Sequence, residues 1–110
     1  VSSLNKPEYI VVLVTTSSKQ EAEKIAQSLL EMKLIACANV LGPVSSYFYW
    51  AEKIERAEEY LMLLKTRTDL FDAVSAKVKT LHSYEVPEVI ALPVLKIVGA
   101  YREWLLSVLG

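Results

Sequence analysis

His82 is the only histidine in this chain and Cys37 the only cysteine. Together they offer an imidazole and a thiolate, the donors that suit a soft transition-metal ion. His82 also opens a chemically dense stretch, His82-Ser83-Tyr84-Glu85-Val86-Pro87-Glu88, which adds a phenol and two carboxylates. One Cys and one His far apart in sequence give no zinc signature, because a closed structural zinc site needs four ligands. Copper accepts fewer donors, and an oligomer multiplies them. Each residue also has a plainer role. Cys37 lies between alanines in an apolar run, where a cysteine packs as a small hydrophobe. His82 stands where a helical pattern stops, and an imidazolium there is favoured by the helix dipole. A Cys–His nucleophile pair would need an exposed, activated thiolate, and an Ala-Cys-Ala strand interior is a poor setting for one. No catalytic residue is assigned, and the chain is expected not to be an enzyme.

The elements that must position these residues follow from periodicity. Tyr9 to Val14 is an unbroken apolar run rich in β-branched residues and predicts a buried strand. Ser18-Lys19-Gln20-Glu21 matches a capping box, opening a helix that buries Ala22, Ile25, Ala26, Leu29 and Leu30 and ends near Lys33. Residues 34–41 are again apolar, and strand character resumes after Gly42-Pro43 through the aromatic run Tyr47-Phe48-Tyr49-Trp50. A turn near 51–53 reverses the chain without the Gly or Asn that tight turns prefer. Tyr60 to Leu64 forms the next strand core. Thr68 or Asp69 caps a second helix burying Leu70, Phe71, Val74, Val78 and Leu81. Val89 to Ile97 is expected as a fourth strand, with Pro93 marking an edge. A short helix from about Ala100 places Tyr101, Trp104, Leu105 and Val108 on one side.

The order β-α-β-β-α-β-α predicts an α+β fold: a split βαβ antiparallel sheet with both crossover helices on one face. The first and third strands lie centrally and the fourth at an edge. Residues 1–7 read as a disordered N-terminal tail and 8–110 as a single domain. One feature strains this layout. A sheet covered on one face should alternate apolar and polar residues, yet the strands at 9–14, 34–38, 60–64 and 89–95 are apolar on both faces. A bare second face would exceed the apolar patch a monomer tolerates. The expectation is an obligate oligomer, the alternative being a last helix that folds across that face.

Composition narrows the function. The net charge of −1, with both signs mixed, gives no footprint for nucleic acid or an anionic membrane. The RNA-recognition sheet shares the element order, but its Lys/Arg-Gly-aromatic strand motif is absent. No Gly-rich phosphate loop can be built from three glycines at 42, 99 and 110. No apolar run approaches the roughly 20 residues that span a bilayer. The single cysteine and a short polar start suggest a cytoplasmic protein. The carboxylates Glu52, Glu55, Glu58, Glu59, Glu85 and Glu88 read as a solvated hairpin rim, and the aromatics at 47–50 as hairpin and interface packing.

Several stretches in this order resemble the CutA proteins, the divalent-cation tolerance family, over nearly the whole chain. They are Leu34-Ile35-Ala36-Cys37-Ala38-Asn39-Val40; Tyr49-Trp50 with Lys53-Ile54-Glu55; Leu63-Leu64-Lys65-Thr66-Arg67; His82 with Tyr84-Glu85-Val86-Pro87-Glu88; Ile90-Ala91-Leu92-Pro93; and Tyr101 with Trp104-Leu105. The resemblance implies a ferredoxin-like βαββαβ fold with a long central hairpin, an extra C-terminal helix and assembly as a homotrimer. It implies metal tolerance and binding of copper or another divalent cation, with Cys37 and His82 at the positions of proposed ligands and Glu85 as a third candidate. It also implies likeness to the PII signalling trimers, whose intersubunit clefts bind small molecules; Trp50, Lys65 and Tyr84 would line such a cleft. This sequence departs from the family pattern at Ser83, where Pro is usual, at Glu52, where the turn usually has Gly, and at Thr16, where some members carry a Cys.

Overall fold

The computed structural model describes residues 7–110. The elements are β1 (Tyr9–Thr16), α1 (Lys19–Glu31), β2 (Cys37–Trp50), β3 (Lys53–Arg67), α2 (Phe71–Leu81, entered through a 3₁₀ turn at Thr68–Leu70), β4 (Ile90–Pro93) and α3 (Gly99–Leu109). One four-stranded sheet has the order β2-β3-β1-β4, and each neighbouring pair is antiparallel. This is the α+β arrangement expected, with β4 at an edge and β2–β3 as the long hairpin.

Pleat parity divides β1 between two environments. Ile10, Val12, Val14 and Thr16 point to one face, where they meet Met62, Leu64 and Thr66 of β3. Helices α1 and α2 cover this face with Ala22, Ile25, Leu29, Val74 and Val78, all buried. Each such Leu, Ile or Val contributes about 1.5–3 kcal/mol by leaving water. The other face is covered at one end only, where Leu105 and Leu109 of α3 pack with Tyr9 and Ala36. Beyond that cluster Val11, Leu13 and Thr15 stay partly open, and Leu92 on β4 is 46% exposed. The last helix therefore caps the second face and does not cover it.

Local details differ from the sequence expectations for identifiable reasons. Leu30 lies on the margin of the buried arc of α1 and is 40% exposed. Thr68 and Asp69 do not cap α2: the Thr68 hydroxyl donates to the Pro7 carbonyl, and Asp69 accepts from Arg67 Nε at 3.0 Å. Pro7 is thereby tied to the domain; the rest of the expected tail lies outside the described residues. The fourth strand ends at Pro93, which has no N–H for the ladder, and the last bond to β1 is from Val94 N to Tyr9 O at 3.1 Å. On α3, Leu105 and Leu109 are the buried pair, while Tyr101 and Trp104 remain exposed.

The hairpin carries two irregularities. Its turn places Ala51 at φ 50° and Glu52 at φ 63°, the paired left-handed geometry of a two-residue hairpin turn, without glycine. Nearer the sheet, β2 pairs Leu41 with Leu61 and next Val44 with Glu59, so Gly42 and Pro43 together oppose Tyr60. This is a β-bulge with one extra residue. It reverses the parity of everything beyond it. Before the bulge Cys37, Asn39 and Leu41 share the partly open face with Lys65, Leu63 and Leu61; after it Val44, Ser46, Phe48 and Trp50 share that face with Glu59, Ala57, Glu55 and Lys53.

Candidate functional site

The bulge and the loop after α2 together build a cleft. The polypeptide leaves α2 at His82, whose N–H donates to Val78 O at 2.9 Å. The imidazole is fully buried. Its Nε2 lies 2.7 Å from the Thr15 carbonyl oxygen, and its Nδ1 accepts from the Tyr84 amide at 3.0 Å. Both bonds form at once only for the neutral ring with its proton on Nε2. Glu21 of α1 holds the same corner. Its Oε2 accepts from the Ser83 amide at 2.6 Å and sits 3.8 Å from His82 Nδ1, while its Oε1 accepts from the Ser17 amide and hydroxyl. Burial opposes ionisation of Glu21, but the bonds from Ser83 and Ser17 outweigh it and hold its pKa below the ordinary value.

With His82 as its post, the loop swings Tyr84 over the sheet. The two rings lie 4.8 Å apart at 46°, and the Tyr84 hydroxyl donates to Glu59 Oε2 at 2.7 Å. Glu59 is only 7% exposed. A cleft of about 810 Å³ opens between this pair and the hairpin, with Phe48 and Trp50 on one wall and Glu85 to Glu88 on the other. Burial, and then the bond to Glu59 and its charge, push the Tyr84 phenol up to about 12. Burial, followed by the Glu59 charge, also raises the Glu88 carboxyl.

The Tyr84 shift has a measurable sign. A phenol held above its ordinary value of 10.0 stays neutral in the fold while the unfolded chain ionises, so stability falls as pH rises from about 10 to about 12. In tyrosine Cζ NMR titrations of Glu59→Gln, the Tyr84 midpoint should move down towards 10 yet stay above it, because burial is the largest cause. A midpoint unchanged by the substitution would sever the proposed Tyr84–Glu59 coupling.

The structure sorts the six residues picked from sequence. Trp50, Tyr84 and Glu85 come together in the cleft. His82 is adjacent but sits behind Tyr84 with both ring nitrogens engaged. Cys37 and Lys65 face each other across β2 and β3 on the partly open face, away from that cleft, and Cys37 Sγ lies 3.9 Å from Asn39 Oδ1. His82 is bonded to Thr15, which pairs with Leu61, whereas Cys37 pairs with Lys65. Those four positions put the two apart by about 13 Å along the strands alone. Within one chain they do not meet, and among the described residues no three His, Cys, Asp or Glu side chains cluster as metal ligands. Sequence reasoning placed Glu59 and Glu88 on a solvated rim; Glu59 is instead buried and both line the cleft. The signal for Glu59 was its parity with Leu61 and Leu63 on β3.

The family model described as CutA1 divalent ion tolerance protein matches residues 10–108. The chain belongs to the CutA1 family. It is 42% identical over 94 residues to the divalent-cation tolerance protein CutA of Archaeoglobus fulgidus, covering 86% of this chain and 91% of that relative. It is also 42% identical over 96 residues to the chloroplastic protein CutA 1 of Oryza sativa subsp. japonica, covering 87% of this chain but only 54% of the longer rice protein. The solved structure of the periplasmic divalent cation tolerance protein CutA from Archaeoglobus fulgidus superposes with a TM-score of 0.90 at 38% identity, over 93% of this chain and 99% of that one. These matches agree with the fold described above.

Proposed function

We propose that this chain is one subunit of a homotrimer that acts in divalent-cation tolerance without catalysing a reaction. The observation that carries the assembly is the second sheet face: α3 closes one end, and Leu41, Ile90 and Leu92 are left exposed beyond it. Apolar strands of this kind call for a second cover, and the family resemblance supplies the threefold count. Copper or another divalent cation is then held by donors drawn from more than one subunit, since one chain gathers too few. Cys37 is the soft donor on the open face, and Glu85 an oxygen donor at the cleft. His82 would have to give up its bond to Tyr84 to bind through Nδ1. The lone, partly buried thiol supports a reducing, cytoplasmic setting.

Light scattering combined with copper titration tests this reading. A trimer at micromolar concentration is expected, binding copper in a way that Cys37→Ser weakens. Leu92→Glu, which puts a charge on the exposed edge strand, is expected to dissociate the assembly and abolish binding together. A stable folded monomer, or copper affinity untouched by both substitutions, overturns the reading.

The size of the cleft favours a second reading. A volume of about 810 Å³ suits an organic molecule better than a bare ion. In this reading the trimer is a regulatory module of the PII type, with Trp50 and Tyr84 in its ligand cleft and Lys65 reaching that ligand only from another subunit.

A further inference from the structure

We propose that the cleft between the hairpin and the 84–88 loop binds an organic ammonium ion with an apolar body, its charge held by Glu59 and Glu88 and its body by Phe48 and Trp50. The proposal rests on the second reading above, that this cleft takes a small molecule.

Glu59 is a buried carboxylate with no basic partner among the described residues. Glu59 is 93% removed from solvent by the complement of its 7% exposure, and its hydrogen-bond partner is a neutral phenol. A hydroxyl satisfies one oxygen but does not neutralise a carboxylate. Buried charges are ordinarily paired, and among the described residues no Lys or Arg forms an ion pair with Glu59. Oε1 makes no hydrogen bond among the described residues and belongs to a side chain that lines the cleft. Glu85 and Glu88 line the same space, and among the described residues no basic side chain does. The Glu88 carboxyl is raised by burial and then by the Glu59 charge, so Glu88 feels a like charge across the cleft.

The donors and the size of the cleft select the kind of cation. A hard divalent ion wants six or more oxygens at about 2.0–2.6 Å. The described residues offer no cluster of three ligating side chains, and the cleft is far larger than an ion needs. An ammonium group asks for less: one or two carboxylate acceptors and the electron-rich face of an aromatic ring. Trp50 and Phe48 supply such faces, directed there by the parity reversal at Gly42-Pro43. Val86 and Pro87 line the opposite wall, so an alkyl or aryl body meets apolar surface on both sides. The three carboxylates that one chain brings to the cleft disfavour an anion there.

The test uses the intact protein and three probes of similar shape: 2-phenylethylammonium, 2-phenylethanol and 3-phenylpropionate. Binding is read from the Trp50 indole and Tyr84 amide resonances. The ammonium should bind about ten-fold or more tighter than the alcohol, with the propionate weakest. Glu59→Gln is nearly isosteric and keeps an acceptor for Tyr84; it should remove most of the preference for the ammonium. Should that variant fold poorly, Glu88→Gln and Trp50→Leu, the latter at an exposed position, provide the same comparison. Equal binding of ammonium and alcohol would refute the proposal while leaving the small-molecule reading intact. Silence with all three probes would remove both. The same resonance shifts produced by copper alone, and lost in Glu59→Gln, would make the cleft a metal site and also refute the proposal.

Discussion

Replacing His82 by alanine should destabilise the metal-free protein by about 2–4 kcal/mol, an effect a dedicated metal ligand would not have. The buried ring joins two segments distant in sequence, accepting from Tyr84 N–H and lying 2.7 Å from Thr15 O. Without it, both backbone groups lose a partner, at about 1–3 kcal/mol for each one left dry, and a cavity opens beneath Tyr84. Urea unfolding of the chelator-treated protein measures this directly. A loss below about 1 kcal/mol would show that the imidazole is not the structural post described. The same substitution should loosen the Tyr84–Glu59 bond, because the Tyr84 amide is what the imidazole anchors.

Gly42→Ala is the second large effect. The backbone there has φ +152°, and an added Cβ would stand 2.6 Å from Tyr60 Cδ2 and 3.1 Å from Glu59 O. The ring can swing, but the Glu59 carbonyl belongs to a paired strand, and the φ itself disfavours any side chain. Strain and overpacking together should cost about 2–4 kcal/mol. Thermal or urea unfolding gives the number, and a change within about 0.5 kcal/mol would contradict the close approach. A partial relaxation would move Glu59 with its carbonyl, so Tyr84 should titrate lower in the variant even where the fold survives.

Much of this architecture was legible in the sequence. The capping box is realised: Glu21 N donates to Ser18 Oγ at 3.1 Å, although the Glu21 side chain reaches back to Ser17 instead of Ser18. The apolar periods located every helix and the long hairpin, and Pro93 announced the edge strand. Periodicity reports which residues leave water locally, and it fails where tertiary neighbours decide. Nothing near His82 in sequence foretells that Thr15 will meet its ring, because the contact depends on α2 ending over the end of β1. Glu59 looked like one of several rim carboxylates; only the folded loop lays Tyr84 over it. The register of Cys37 against Lys65 was likewise invisible until strand pairing fixed how far it lies from residue 82.

The extra residue at Gly42-Pro43 works as a frame setting for the hairpin. Side chains on an extended strand are read by alternate faces, so an insertion of one swaps which half of a sequence each face displays. With the bulge, Phe48 and Trp50 turn towards Glu59 and Tyr49 takes the opposite side, while Tyr47 only borders the cleft. Deleting either bulge residue would leave the aromatic run intact in composition and exchange its two faces, giving the cleft a wall of phenols in place of a phenyl and an indole. A lineage could therefore change what the cleft accepts through one codon's gain or loss at this point, with no substitution among the residues that line it.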